Sequence, residues 1–193
     1  MKAKNTLIFL GLCLYGATPV AEAHSLGVYD TGIWGAFLHP FVGIDHLLAM
    51  LVVGIWAGQL GGRSIFLVPL SFMAIMLLAV IYSPIGYVLP HKELILASSL
   101  LILGLCTARS VRVSSLASSF LVGVFAIFHG YAHASDLQQA ESLVQFSVGL
   151  GLGTLMLILI GMGFARYTQR YLTVQQLCGY LIATTGIYLF ATV

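Results

Sequence analysis

Hydrophobic residues fill six long stretches of the chain, and most polar residues fall between them. About 20 consecutive apolar residues are what an α-helix needs to cross the hydrocarbon core of a bilayer. The connections are short and contain residues that interrupt helices, such as Gly61, Gly62 and Pro90. The pattern predicts an all-α, polytopic membrane protein with six transmembrane helices, at about 33–57, 64–82, 94–108, 116–133, 143–165 and 172–191.

A shorter apolar stretch at the N-terminus has the features of a cleavable signal peptide. Lys2 and Lys4 precede it, and small residues flank Glu22 at a candidate cleavage site. Cleavage after Ala23 divides the chain into a signal peptide, residues 1–23, and a six-helix transmembrane domain, residues 24–193, that begins with His24. An uncleaved signal anchor is the alternative, and it leaves the orientation of the six spans unchanged.

Composition supports a membrane protein and excludes several other classes. Hydrophobic residues make up 60% of the 193 residues and charged residues only 7%, with a mean hydropathy of +1.02. A soluble domain carries roughly 25% charged residues, so a cytosolic enzyme and a disordered chain are excluded. A net charge of +2 is too small to indicate nucleic-acid binding.

Basic residues predict the orientation of the spans. Lys92 is the only basic residue in the loops on one side of the six spans. The loops on the other side contain five: Arg63, Arg109, Arg112, Arg166 and Arg170. Because cytoplasmic loops are enriched in Lys and Arg, we expect this second side to face the cytoplasm and both mature termini to face outward.

Polar residues inside the predicted spans are concentrated in two of them. The first span contains His39, Asp45 and His46, and the fourth ends with His129 and His133. Each polar or ionisable group at membrane depth costs a few kcal/mol to insert. We therefore interpret these five residues as a functional cluster rather than as structural core residues.

Helix geometry limits how these residues can act together. His129 and His133 share one helix face about 6 Å apart, close enough to bind one ion. A straight helix separates His39 from His46 by roughly 10.5 Å, so they serve successive sites unless the helix breaks near Pro40 and Gly43. Asp45, directed about 100° away from its neighbour, could bind the ion or orient an imidazole.

The candidate ligands suit a particular class of ion. Imidazoles with a carboxylate favour nickel, cobalt, zinc or copper, whereas magnesium and calcium prefer oxygen ligands. Asp136 and a freed N-terminal His24 are expected outside, above the cluster, as further ligands. His91, in an outer loop, is expected to be exposed to solvent.

At these two segments the chain resembles the HupE/UreJ family of hydrogenase- and urease-associated membrane permeases. The family's His-x5-Asp-His motif matches His39, Asp45 and His46, and its Phe-His-Gly-x-Ala-His-Gly-x-Glu motif matches most of residues 128–136. The second motif departs at Ala134, where Gly is usual, and at Asp136, where Glu is usual; Asp reaches one methylene less far.

The resemblance covers essentially the whole chain and implies a function. It implies that the protein lies in the lipid bilayer of the bacterial cytoplasmic (inner) membrane and takes up Ni²⁺ or Co²⁺ by secondary transport. The metal is expected to be cargo, and no prosthetic group is expected. The protein is not expected to be an enzyme itself. The metalloenzymes that would receive the ion are hydrogenase, urease or cobalamin enzymes. Capture near His133, passage past His129 and His39, and arrival at Asp45 and His46 is the expected route.

Four alternatives remain open from the sequence. The protein could be a metal-binding accessory or sensor protein that does not transport, or its cargo could be copper or zinc. A haem-binding electron-transfer protein would use the His pairs as axial ligands. An intramembrane metalloprotease would use His129 and His133, but Gly130 stands where H-E-x-x-H has its general-base Glu.

Overall fold

The protein is helical throughout the part that the structure describes. A computed structural model describes residues 32–83, 91–133, 140 and 142–192, and these ranges contain no strand. The helices are α1 (Ile33–Val42), α2 (Ile44–Leu60), α3 (Ser64–Tyr82), α4 (Lys92–Ala108), α5 (Ser115–Ala132), α6 (Leu143–Tyr167) and α7 (Leu172–Thr192). The prediction of an all-α fold is confirmed. The predicted signal peptide lies outside the described residues.

Fewer helices qualify as membrane spans than the six predicted. Among the described residues, α3, α5, α6 and α7 are each long and apolar enough to cross a bilayer. α1 and α2 would add a fifth span if counted together, although they are bent by 84° where they meet. α4 has 17 residues, slightly fewer than the 18 of α5. Six spans therefore stay a prediction.

α2 is the central helix of the bundle. It packs against α3, α4 and α6, and its Met50, Val53 and Trp56 side chains are buried. Large apolar side chains instead cover the outside of the bundle, where Phe66 and Leu116 are at least 75% exposed. Such an apolar exterior is compatible with a bilayer, because the lipid chains around it are as apolar as these side chains.

Glycines allow neighbouring helices to pack with their backbones in contact. A Cβ atom at Gly54 of α2 would clash with the carbonyl oxygen of Ile158 in α6. The same holds between α4 and α7, where Cβ atoms at Gly104 and Gly179 would clash with the facing backbone. Close approach through small residues is a main source of helix association in membranes. Gly179 and Ala183 have the small-xxx-small spacing typical of such packing, and both residues contact α4.

The five arginines lie at one end of the bundle and are exposed. Hydrogen bonds connect the chain segments there: Trp56 Nε1 donates to the Val111 carbonyl at 3.1 Å, and the Ser64 and Ser115 hydroxyls lie 2.9 Å apart. We call this the arginine end. The predicted clustering of basic residues on one side is thereby confirmed for the described residues.

Candidate metal centre

The first predicted span is broken at one residue, Gly43. This residue has an extended backbone (φ −78°, ψ 120°), and it separates α1 from α2. Two residues before the end of α1 stands Pro40, which has no N–H to continue the helical hydrogen bonds. A Cβ atom at Gly43 would come within 2.8 Å of Asp45 Oδ1 and 3.4 Å of His46 Nδ1. A side chain here would therefore displace the Asp45 carboxylate, whereas the backbone conformation itself does not require glycine.

The break brings both histidines of the first span into one group with those of α5. The His39 and His46 ring centroids are 6.4 Å apart, much closer than the roughly 10.5 Å rise of a straight helix over seven residues. The His133 ring lies 4.9 Å from that of His39 and 4.6 Å from that of His46. We call these three residues, together with His129, the histidine cluster.

His46 is the centre of the cluster. Its ring contacts those of His39 and His133, and also that of His129 at 5.5 Å. The expected route placed the histidines in succession, with His133 at an outer mouth. His133 is buried, with 1% of the residue exposed, and the four imidazoles form a single compact group; the order in which an ion would pass them stays a prediction.

Asp45 and His46 form a hydrogen-bonded pair at the start of α2. Asp45 Oδ1 lies 2.9 Å from His46 Nδ1. A carboxylate accepts this hydrogen bond, so Nδ1 carries the proton and Nε2 is the ring nitrogen that has a lone pair for an ion. Of the two roles open from the sequence, the geometry favours Asp45 as the group that orients an imidazole, an arrangement common beside metal-bound histidines.

The His129 ring is held in the same way by its own helix. Its Nδ1 lies 3.0 Å from the backbone carbonyl oxygen of Phe125; because a carbonyl only accepts, Nδ1 must donate. Nε2 is buried without a hydrogen-bond partner among the described residues. A buried nitrogen with an unused lone pair is suited to binding an ion.

The cluster is close enough for a shared ion but is not arranged around one. Two imidazoles that share an ion at a metal–nitrogen distance of about 2.1 Å have ring centroids roughly 4.5 to 6.5 Å apart, and the observed spacings fall in this range. Nevertheless, no three His, Cys, Asp or Glu side chains in the described ranges have the geometry of a ready metal site. Ring rotation would be needed to direct several nitrogens at one point.

The remaining predicted residues have different outcomes. His24 and Asp136 lie outside the described residues, so their role as outer ligands stays a prediction. His91 is exposed next to the start of α4, which confirms the expectation for that residue.

Two features of the site were not visible in the sequence. Phe72, near the middle of α3, packs against His129 with ring centroids 5.5 Å apart. Gly149 and Gly153 of α6, which have the small-xxx-small spacing of packing residues, contact the backbone of α1 at Ile33 and Phe37. They therefore hold the helix that carries His39. Periodicity could identify these residues as buried but could not identify their neighbours.

Comparison with known proteins gives two matches and one negative result. The family described as HupE / UreJ protein matches residues 12–189. A curated protein named Protein HupE, from Rhizobium leguminosarum bv. viciae, is 32% identical over 185 residues, covering 95% of this chain and 96% of its own length. No solved structure matches.

Proposed function

The chain belongs to the HupE / UreJ family, and on that premise we propose that it is a permease for a divalent transition-metal ion. Its cargo is Ni²⁺ or Co²⁺, carried inward across the bacterial inner membrane by secondary transport. The ion is the substrate, and the protein is neither an enzyme nor the carrier of a prosthetic group. Copper or zinc as cargo is the nearest alternative, since affinity alone ranks copper above nickel.

One observation carries this proposal: four imidazoles and one carboxylate meet at a helix break inside an apolar bundle. Such groups are costly in a membrane and are found there chiefly where ions or protons pass. A broken helix within a bundle also provides the irregular backbone that lines many transport sites. Imidazole nitrogen suits nickel and cobalt, and the Asp45 carboxylate supplies negative charge to offset that of the ion.

Each residue of the cluster has a distinct part in the proposed transport. His46, which contacts the other three rings, binds the ion through Nε2, while Asp45 holds its ring in place. His129 binds through its own Nε2. His39 and His133 pass the ion to these two residues, and His24 and Asp136 would collect it outside.

The proposal includes six spans and a defined orientation. α4 is the additional span: its 17 residues rise about 25 Å, and its backbone packs closely on α7. The arginine end faces the cytoplasm, and both mature termini face outward after removal of residues 1–23. Hydrogenase, urease or cobalamin enzymes would receive the ion.

Metal uptake by cells tests the proposal directly. Cells expressing the protein should accumulate more radioactive nickel or cobalt than cells without it. His46→Ala and His129→Ala should each reduce the initial rate by about tenfold or more, the scale on which metal sites respond to loss of their partners. His91→Ala, at an exposed position beside α4, is the matched control and should transport normally.

Two results would contradict the proposal in different ways. Normal uptake by both His46→Ala and His129→Ala would exclude the cluster as the transport site. Nickel binding to the purified protein without any metal accumulation by cells would favour the alternative of an accessory or sensor protein that does not transport.

A further inference from the structure

A polar cavity lies at the arginine end, away from the histidine cluster. Its volume is about 230 Å³, and the last turn of α2, the α4–α5 connection, the end of α6 and the start of α7 enclose it. The lining includes Gln59, Ser110, Arg112 and Gln175. Along α2, thirteen residues, or about 20 Å of helix, separate His46 from Gln59. The two sites are therefore distinct.

Two glutamine side chains in the cavity wall have fixed orientations. Gln175, only 2% exposed, donates through Nε2 to the Ala165 carbonyl at 2.7 Å and to Thr168 Oγ1 at 3.0 Å. Gln59 donates through Nε2 to the Thr107 carbonyl at 3.2 Å. Because carbonyls only accept, these bonds determine which end of each amide is nitrogen.

The amide oxygens of these glutamines therefore do not take part in the bonds just described. Gln59 Oε1, Gln175 Oε1 and Ser110 Oγ are all buried and have no hydrogen-bond partner within the described residues. A buried acceptor in this condition costs about 1–3 kcal/mol. All three atoms belong to residues that line this one cavity, and a hydrogen-bond donor inside the cavity would satisfy them after a small rotation of their side chains.

The cavity is suited to water around a cation rather than to a bare metal ion. Its volume has room for about seven water molecules at roughly 30 Å³ each, and such waters would donate to the three oxygens. No carboxylate or imidazole is present in its lining among the described residues, so nothing replaces the inner water of a transition-metal ion. The exposed Arg112 guanidinium also opposes retention of a cation.

Trp56 of α2 lies beside this cavity. It lies three residues before Gln59, its indole is buried, and Nε1 donates to the carbonyl of Val111, itself a lining residue. This hydrogen bond therefore anchors the indole to the wall of the cavity.

From these observations we propose that the cavity is the inner release vestibule of the permease. An ion that leaves the histidine cluster passes the Trp56 indole, regains its hydration water in the cavity, and departs between the arginines. The oxygens of Gln59, Gln175 and Ser110 hold that water. This inference rests on the proposed transport function, and it assigns the site of release rather than the site of capture.

Nickel uptake kinetics test the vestibule separately from the capture site. In the double variant Gln59→Met, Gln175→Met, Vmax per protein molecule in the membrane should fall about tenfold, because two of the three hydrogen-bond acceptors are lost. KM should stay within about twofold because the histidines are untouched. Gln176→Met, a change of the neighbouring residue, which is not part of the cavity lining, is the matched control and should leave both values unchanged.

A milder variant covers the case in which the double variant does not fold. Ser110→Ala removes one of the three oxygens without removing a bond between helices, and it should lower Vmax about two- to threefold, again with KM unchanged. Wild-type Vmax in Ser110→Ala or in a folded double variant would overturn the vestibule. If the wild-type protein requires His46 for uptake and the cavity variants transport normally, the permease proposal survives and only this inference fails.

Discussion

At the scale of single residues, the pairing of Asp45 with His46 is the most informative contact. Neighbouring residues of a regular helix point about 100° apart, so the sequence left Asp45 either as a ligand or as an orienting group. In the structure the two side chains meet at 2.9 Å directly after the extended Gly43. The break gives the carboxylate room to turn toward the imidazole, and this fixes the proton of His46 on Nδ1.

A neutral replacement of Asp45 should weaken metal binding. Asp45→Asn retains an oxygen near His46 but removes the charge, and we expect a loss of about 10- to 100-fold in nickel affinity, as for other partners of metal-bound histidines. Titration calorimetry on purified protein measures it. Glu93→Gln changes an exposed carboxylate that lies 3.8 Å from Lys92 and should have no effect; equal affinity in the two variants would exclude an orienting role for Asp45.

At the scale of helices, glycines determine both the break and the packing of the elements around it. Gly43 provides space for the Asp45 carboxylate, and Gly54 and Gly161 allow α2 and α6 to touch along their backbones. By contrast, a Cβ atom at Gly163 of α6 would meet nothing within 4 Å. Gly163→Ala is therefore a suitable control for substitutions at the closely packed glycines.

Gly43→Ala should impair transport without unfolding the protein. The φ of −78° accepts alanine, but the new Cβ atom would displace Asp45 Oδ1 from its place 2.8 Å away. We expect KM for nickel uptake to rise about tenfold, for the same reason as in Asp45→Asn. Gly163→Ala should leave KM unchanged, and an unchanged KM in both variants would show that the turn tolerates a side chain.

Gly161→Ala should instead reduce stability. Its Cβ atom would clash with the Leu51 carbonyl oxygen in α2, and backbone cannot move aside as a flexible side chain does. Overpacking of this kind costs typically 1–3 kcal/mol. Thermal unfolding in detergent should show a lower Tm than for Gly163→Ala, two residues along the same helix; the same Tm for both would indicate that α2 and α6 can separate without loss.

At the scale of the whole molecule, the distribution of charge predicts the orientation. All five arginines are exposed at one end of the bundle, and the break that carries the histidine cluster lies toward the other end of α2. Uptake would therefore proceed from the cluster toward the arginine end, where the polar cavity lies.

Reporter fusions test this orientation. Alkaline phosphatase, which is active only outside the cytoplasm, should be active when fused after Val193, and green fluorescent protein fused there should be dark. A phosphatase inserted after Arg112 should be inactive. The reverse pattern would invert the direction of transport proposed from the arginines.

The class of protein, the approximate helices and the residue types of the site could all be predicted from the amino-acid sequence. These follow from local quantities: hydropathy averaged over a span, helix-breaking residues, and costly polar groups within apolar stretches. The HupE/UreJ resemblance was also readable from two motifs, and it is confirmed by the family match over residues 12–189.

The arrangement of the site could not be predicted in the same way, because it depends on how the helices pack. Three features of the structure depend on how helices far apart in the chain cross one another. They are the contacts of His46 with three other imidazoles, the burial of His133, and the shared cavity of Gln59 and Gln175. Those crossings are fixed by backbone contacts at glycines, and the sequence shows where the glycines are without showing which backbone each one meets. The 84° bend at Gly43 was one of two options left by the sequence, and the packing of α1 and α2 on α6 selected it.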